Sequence, residues 1–164
     1  YETFEVEPDV MTLAKGLGGG VPIGAFLAKE KFAVLAPGDH GSTFGGNALT
    51  CAAAFASTKY IIDNDVPAHA RRMGEHLRQR LNEIKDRNDF IKEVRGVGLL
   101  DAVEFDIDMS AGVLDACRER GLLLVLPPAP NAIRLIPPLT ITENEIDRGL
   151  EILEAGMVVA AEGR

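Results

Sequence analysis

The 164 residues carry a formal net charge of −8, with 46% hydrophobic and 26% charged residues and two cysteines. This acidity argues against a nucleic-acid-binding protein, because phosphate neutralisation requires clustered lysine and arginine. No apolar run is long enough to span a membrane, the start is not a signal peptide, and two cysteines do not make a disulfide framework. We therefore expect a cytoplasmic globular protein.

Residues 1–36 alternate glycine turns with short apolar segments, as is typical of an α/β domain. The segment GAFLAK, residues 24–29, predicts a strand, and PGDHGSTFGGN, residues 37–47, predicts a glycine-rich loop. The helix predicted after this loop carries no charge from Asn47 to Thr58. Because it is apolar almost all round, we expect it to be buried on most sides, Cys51 included.

A second helix begins near Asp65 and Pro67, and it differs from the first because it is amphipathic. Its predicted apolar stripe contains Ala70, Met73, Leu77, Leu81 and Ile84. Its arginines, among them Arg78 and Arg80, are expected on a solvated face. This change of character predicts a domain boundary that separates residues 1–65 from residues 66–164.

The remaining pattern predicts a small sheet with helices on one face. Two strands are expected around Gly96 and Gly98, and a helix capped by Ser110 is expected to end at Gly121. Two further strands are predicted at 122–126 and 132–136. Thr142 and Glu145 form a capping box before a last helix whose buried face contains Ile146, Leu150, Leu153 and Met157.

Two groups of polar residues remain after this assignment. The three histidines do not have the spacing of a metal site, and we expect them at the surface or at helix ends. Asp101 places a charge in an otherwise apolar strand, and the sequence does not explain it.

The glycines after Lys15 do not form a nucleotide-binding motif. Neither the GxGxxG spacing nor the GxxxxGK spacing is present in residues 12–29. Lys15 is either a surface lysine beside a glycine turn or a nucleophile that forms a Schiff base with a carbonyl compound. In the second case, the glycines provide room for a bulky aldehyde.

Three stretches of the chain resemble one family of enzymes. They are PDVMTLAKGLGGGVPIGAFLAK, PGDHGSTFGGNALTCAAA and NAIRLIPPLTITENEID. Together they resemble the class III pyridoxal-phosphate-dependent aminotransferases, and within these the acetylornithine aminotransferase branch. The resemblance implies the fold type I transferase architecture of class α/β: residues 1–65 are the end of the large cofactor domain and residues 66–164 are the small α+β domain.

The resemblance also implies roles for four residues. Lys15 matches the lysine that holds pyridoxal 5'-phosphate as a Schiff base and then moves the substrate proton. Thr43 matches the threonine that binds the cofactor phosphate across a homodimer interface, and Ser42 matches a substrate contact; helix capping is the alternative for both. Arg134 matches the arginine that binds the substrate α-carboxylate, and a structural ion pair with Glu104 or another acid is its alternative.

The implied activity is transfer of an amino group between an N-acylated diamino acid, N2-acetylornithine, and 2-oxoglutarate. The alternatives are succinylornithine, ornithine, 4-aminobutyrate or carrier-linked lysine-precursor aminotransferases. The acid that faces the cofactor nitrogen, the stacking aromatic ring and the main phosphate cup lie upstream of the lysine in the family. We therefore expect the last two-fifths of a longer enzyme, inactive alone; a non-catalytic binding domain is the remaining alternative.

Overall fold

The computed structural model describes residues 1–125 and 128–163. It divides into two compact units, residues 1–64 and residues from 65 onward. The boundary predicted between residues 65 and 66 lies one residue from this division.

The N-terminal unit contains one two-stranded sheet and one long helix. Its elements are β1 (Val10–Leu13), β2 (Ala25–Ala28) and α1 (Ala48–Asp63), with short 3-10 turns at Glu2–Phe4, Lys15–Gly18 and Glu30–Phe32. The two strands are antiparallel and pair Val10 with Ala28 and Leu13 with Ala25. The strand predicted at residues 24–29 is therefore confirmed.

Helix α1 begins where the sequence predicts, but most of its surface is exposed. The Asn47 side chain caps it by accepting a hydrogen bond from the Thr50 N–H at 3.1 Å. Only Thr50 and Ala54 of this helix are buried, and Cys51 is exposed. The prediction of burial on most sides is wrong for the chain as described. An apolar composition makes burial favourable, but burial also requires a partner surface, and residues 1–64 cover one side of the helix.

The C-terminal unit contains three helices and a three-stranded antiparallel sheet. Its elements are α2 (Val66–Lys85), β3 (Ile91–Val97), β4 (Leu100–Phe105), α3 (Ser110–Glu119), β5 (Ala132–Leu135) and α4 (Glu143–Glu162). The strand order is β3-β4-β5. The pattern of helices and strands in this unit agrees with the predicted α+β arrangement.

The apolar stripes of α2 and α4 belong to one hydrophobic core together with inward-facing residues of the sheet. All five residues predicted for the α2 stripe and all four predicted for α4 are buried. The capping box at the start of α4 is confirmed, because Thr142 Oγ1 accepts from the Glu145 N–H while the Glu145 carboxylate accepts from the Thr142 N–H. Among the helices in the described part of the chain, none has the length and apolarity to cross a bilayer.

Helix α3 has a different N-cap from the one predicted, and the strand predicted after it does not form. Met109 is its N-cap, and the Ser110 hydroxyl instead donates to the Ala129 carbonyl at 3.0 Å. Residues 122–125 are not a strand, and residue 126 lies outside the described residues. Their apolar character serves packing instead: Leu122 and Leu124 contact the core, and the Leu122 N–H bonds back to the Cys117 carbonyl at the end of α3.

A close contact between α3 and α4 buries Cys117. A Cβ on Gly156 would lie 2.7 Å from the Cys117 sulfur, so a glycine is needed there for the two helices to approach. Cys117 is fully buried, and burial raises the pKa of its thiol to about 11.

Candidate active site

Lys15 follows β1 in an uncommon backbone conformation. Its φ angle is 55°, in the left-handed region that residues with a side chain adopt rarely and at a cost. It is the first residue of the 3-10 turn Lys15–Gly18, and its side chain is exposed. Backbone strain of this kind concentrates at functional positions, where the surrounding structure maintains it.

The turn that carries Lys15 rests on α1 on one side and is open on the other. Gly18 is buried, and a Cβ added to Gly19 would lie 3.6 Å from the Ser57 hydroxyl of α1. In contrast, a Cβ added to Gly16 or Gly20 would meet no atom within 4 Å. The backbone of the turn is therefore fixed by the helix, while the space next to the lysine is free.

Lys15 also differs from the other lysines of residues 1–64 in its electrostatic partners. Lys29 and Lys31 each form ion pairs with Asp9, Lys29 also with Glu7, and Lys59 pairs with Asp63 at 2.7 Å. Within this fully described segment, Lys15 is the one lysine without a carboxylate within 4.0 Å. Its amine is thus available to a ligand.

The loop before α1 exposes both Ser42 and Thr43. Ser42 Oγ accepts a hydrogen bond from the Gly45 N–H at 3.0 Å, which closes a turn within the loop. Because Asn47 caps α1, neither hydroxyl is the helix cap, so the capping alternative is wrong for both. The hydroxyls and the glycine N–H groups ahead of a helix N-terminus are of the type that binds phosphate.

Arg134 lies on the outward face of the C-terminal sheet. Its side chain is exposed, whereas the neighbouring Ile133 and Leu135 are buried in the core. Arg134 of β5 pairs with Ala102 of β4, and Ala102 also pairs with Arg95 of β3. The three side chains therefore form one row across the sheet.

The ion pair predicted as an alternative for Arg134 does not form. The Glu104 carboxylate accepts instead from Lys92 at 2.6 Å and Arg95 at 2.7 Å, and these two bonds hold its pKa below the usual value. Arg95 also contacts Glu93 at 2.8 Å. In residues 1–125 and 128–163, no ion pair includes Arg134. It is the cation of this face that remains open to an anion.

The structure explains Asp101, which the sequence did not. Asp101 is 1% exposed, and its Oδ1 accepts from Arg78 of α2 at 2.8 Å, while the same guanidinium nitrogen donates to the Gly98 carbonyl at 2.9 Å. Two glycines make the room: a Cβ on Gly74 would lie 1.7 Å from that carbonyl oxygen, and one on Gly96 would lie 2.0 Å from Asp101 Oδ1. Burial raises the pKa of Asp101, and Arg78 opposes this shift.

Arg78 and Arg80 are therefore not on a purely solvated face. Arg80 bonds to Glu83 and to Asp147 of α4. The sequence alone does not provide the register that brings them together.

Two histidines of α2 bond to residues just before or within α4 rather than lying free at the surface. His69 Nε2 lies 2.8 Å from the Ile141 carbonyl, and because that oxygen only accepts, the ring nitrogen is the donor. His76 Nε2 lies 3.0 Å from Asp147 Oδ1. The described residues contain no group of three or more side chains that could hold a metal ion.

The residues around Lys15 fit the cofactor that the resemblance implies. The glycines at 16 and 20 leave open space beside the lysine for a flat ring, and the exposed Thr43 hydroxyl is a donor suited to a phosphate. Lys15, Ser42 and Thr43 belong to the N-terminal unit, and Arg134 belongs to the C-terminal unit.

Comparison with known proteins identifies relatives along nearly the whole chain. The signature of the aminotransferase class-III family matches residues 1–157. The acetylornithine aminotransferase of Methanothermobacter thermautotrophicus is 46% identical over 153 residues, which cover 93% of this chain and 39% of that protein. The acetylornithine aminotransferase of Caldanaerobacter subterraneus subsp. tengcongensis is 44% identical over 154 residues, which cover 94% of this chain and 39% of that protein. The chain thus spans about two-fifths of the length of these relatives.

Solved structures of aminotransferases share this fold. The ornithine aminotransferase of Toxoplasma gondii, in which pyridoxal phosphate partly occupies the active site, superposes with a TM-score of 0.88 at 39% identity, over 98% of this chain and 39% of that one. The acetylornithine aminotransferase of Elizabethkingia anophelis gives 0.86 at 36% identity, over 96% and 40% of the two chains. The predicted fold, the C-terminal part of a fold type I transferase, is confirmed. With its family signature over residues 1–157 and these relatives, the chain belongs to the class III aminotransferases.

Proposed function

We propose that this chain is the C-terminal part of a pyridoxal-phosphate-dependent aminotransferase of arginine biosynthesis that transfers an amino group between N2-acetylornithine and 2-oxoglutarate. Relatives named acetylornithine aminotransferase at 46% and 44% identity support the substrate. The observation that carries the proposal is Lys15, which is held in a left-handed conformation beside open glycines and has no carboxylate partner within residues 1–64.

In this proposal Lys15 holds the cofactor and then acts as the proton carrier of the reaction. Pyridoxal phosphate, when bound, supplies an electron-accepting ring that makes the substrate α-carbon acidic. The Lys15 amine takes the proton from that carbon and delivers it again on the cofactor side. A tethered base acts at high effective concentration, so a backbone that fixes the direction of the side chain contributes directly to rate.

Thr43 and Ser42 would complete the site from the loop that precedes α1. We propose that the Thr43 hydroxyl donates to the cofactor phosphate of a second subunit in a homodimer, and that Ser42 contacts substrate. The exposure of both residues and the closed turn at Ser42 are consistent with a preformed loop that presents its hydroxyls outward.

Arg134 would bind the substrate α-carboxylate. A planar guanidinium matches a carboxylate with two parallel hydrogen bonds, and such charge-assisted bonds are stronger than neutral ones. The support is that Glu104, the acid considered as its alternative partner, is already bonded to Lys92 and Arg95.

Ornithine is the second candidate donor, and one observation favours it. The Toxoplasma gondii ornithine aminotransferase is at least as similar in structure as the Elizabethkingia anophelis acetylornithine enzyme, with TM-scores of 0.88 and 0.86. Kinetics of the full-length protein with N2-acetylornithine, ornithine and 4-aminobutyrate would separate these. We expect the highest kcat/KM with N2-acetylornithine, and a clear preference for ornithine would reassign the substrate.

The first test of Lys15 is chemical. The chain is incubated with pyridoxal phosphate, reduced with borohydride, and the modified lysine is located by mass spectrometry. We expect labelling at Lys15; scattered labelling over Lys29, Lys31 and Lys59 would show that these residues alone do not form the site.

The second test uses the full-length protein with matched lysine variants. Lys15→Ala should abolish transamination and leave the fold intact, because its exposed side chain contributes little packing. Lys59→Ala, which removes an exposed lysine from an ion pair on α1, should retain activity. Substantial transamination by the Lys15→Ala variant would refute the assignment.

A further inference from the structure

We propose that Asn47 is a positioning residue for the cofactor phosphate: its side-chain amide holds the loop of residues 42–46 on the N-terminus of α1, and this fixes the direction of the Thr43 hydroxyl. The inference rests on the proposed function, in which Thr43 binds the phosphate of pyridoxal 5'-phosphate. It adds the residue through which that contact is oriented. Asn47, Thr43 and the loop all belong to the N-terminal unit.

The Asn47 side chain joins the loop to the helix with both ends of its amide. Its Oδ1 accepts from the Thr50 N–H in the first turn of α1 at 3.1 Å, and its Nδ2 donates to the Phe44 carbonyl at 3.0 Å. An amide has one acceptor end and one donor end, so these two partners also fix its orientation. A helix cap needs only the acceptor, and the donor therefore gives this side chain a second function.

Thr43 lies between two loop residues that are themselves held in place. Phe44 is held by Asn47, and the Ser42 hydroxyl accepts from the Gly45 N–H at 3.0 Å. A Cβ added to Gly45 would lie 2.9 Å from the Ser42 side chain, so the turn between them is too tight for a side chain at this position. The backbone on both sides of Thr43 is thus fixed, while Thr43 itself stays exposed.

The helix side of this connection is firmly anchored. Thr50 is buried, its hydroxyl donates to the Asn47 carbonyl at 3.4 Å, and the Cys51 N–H donates to the same oxygen at 3.0 Å. A hydrogen bond weakens steeply when its distance or angle changes, so a donor that binds phosphate must be held in place. Without the Asn47 donor, the Phe44 carbonyl is released and Thr43 can turn away from the phosphate.

The test separates the two functions of Asn47 in the full-length protein. Asn47→Ser keeps a helix cap of similar strength but has no second polar atom to reach the Phe44 carbonyl, whereas Asn47→Ala loses both bonds. The dissociation constants of pyridoxal phosphate and of pyridoxal, which lacks the phosphate, are measured by fluorescence titration of the cofactor-free protein. Asn64→Ser is the matched control, because Asn64 Nδ2 donates to the Tyr60 carbonyl at 2.9 Å at the other end of α1.

The phosphate-dependent part of the affinity is the expected readout. In Asn47→Ser, the dissociation constant of pyridoxal phosphate should rise about tenfold, as expected for loss of one charge-assisted hydrogen bond, and that of pyridoxal should not change. Urea unfolding of this cofactor-free variant should coincide with that of the parent, whereas Asn47→Ala should also unfold at lower urea. Asn64→Ser should leave both dissociation constants unchanged. Parent-like affinity for pyridoxal phosphate in Asn47→Ser, or equal losses for both compounds, would overturn the inference.

A double variant shows whether Asn47 acts through Thr43. Thr43→Val removes the hydroxyl and should raise the dissociation constant of pyridoxal phosphate alone. Adding Asn47→Ser should then cause no further loss, since two changes that remove one contact are not additive; additive losses would overturn the positioning role. If Thr43→Val has no effect, the proposed role of Thr43 fails. If Thr43→Val has its effect and Asn47→Ser has none, that role stands and only the present inference fails.

Discussion

The buried pair of Asp101 and Arg78 leads to a prediction about stability that depends on which partner is removed. Asp101 has a fully buried side chain whose Oδ2 finds no hydrogen-bond donor among the described residues, whereas the Arg78 side chain is 23% exposed. Arg78→Met removes the donor to the buried carboxylate and leaves both of its oxygens unpaired. Breaking a buried pair in this way costs about 3–5 kcal/mol.

The opposite replacement should be milder. In Asp101→Asn, the side-chain oxygen still accepts from Arg78, and the guanidinium keeps the Gly98 carbonyl and its contact with water. We expect the free energy of unfolding to fall by about 1–2 kcal/mol, since the buried hydrogen bond then has a neutral acceptor in place of a carboxylate. The free energy of unfolding is measured by urea denaturation at pH 7 for the parent chain and both variants.

The pH dependence gives the decisive comparison. Burial already raises the pKa of Asp101, and loss of Arg78 removes the groups that lower it. A folded-state pKa above the unfolded value means that the folded chain binds the proton more tightly, so acid favours the folded state. The deficit of Arg78→Met relative to the parent should therefore shrink as the pH falls from 7 to 5. Equal losses for the two variants, or a deficit that is independent of pH, would refute this account of the pair.

Three further outcomes are expected. Iodoacetamide at pH 8 should modify Cys51 in the folded chain and Cys117 only after unfolding, because Cys117 is buried with a pKa of about 11; peptide mapping before and after urea tests this, and early labelling of both thiols contradicts it. Gly74→Ala should destabilise the chain by at least about 2 kcal/mol in urea denaturation, since the new methyl group meets a backbone carbonyl that cannot move aside cheaply. Glu154→Gln should cost less than about 1 kcal/mol of unfolding free energy at pH 7. Because the bonds to Arg87 lower the pKa of Glu154, this contribution is present above the pKa of an unfolded glutamate and is lost as the pH falls through the folded-state pKa. Acid-unfolding curves of the parent and the variant that stay parallel would contradict this.

The elements that were predicted correctly are those whose signal is local. The α2 stripe and the Thr142–Glu145 capping box depend on residues three or four apart, and both are as predicted. The strand predicted at residues 122–125 is wrong, because an apolar segment of that length is equally consistent with a strand and with a loop whose side chains pack on a core. Only the pairing of backbones distinguishes the two cases.

For the candidate site, too, some features could be identified from the sequence and others could not. Lys15, Thr43 and Arg134 could be selected by resemblance, and their assignments stay predictions. The left-handed backbone at Lys15 and the row that joins Arg95 to Arg134 could not be derived, since the first requires dihedral angles and the second requires strand register. Asp101 shows the same limit, because its partner lies 23 residues away on another element.

The hydrogen bonds that join residues 69–88 to residues 141–154 have a consequence for how the C-terminal unit folds. His69 bonds to a carbonyl 72 residues later, and Arg87 bonds to Glu154 67 residues later. Closing a chain segment of this length costs roughly 4 kcal/mol of entropy before any of these contacts forms. The contacts between the first and the last helix of the unit can therefore form only late in synthesis on the ribosome, after α4 has emerged. A dependence on such distant contacts is typical of slow-folding domains.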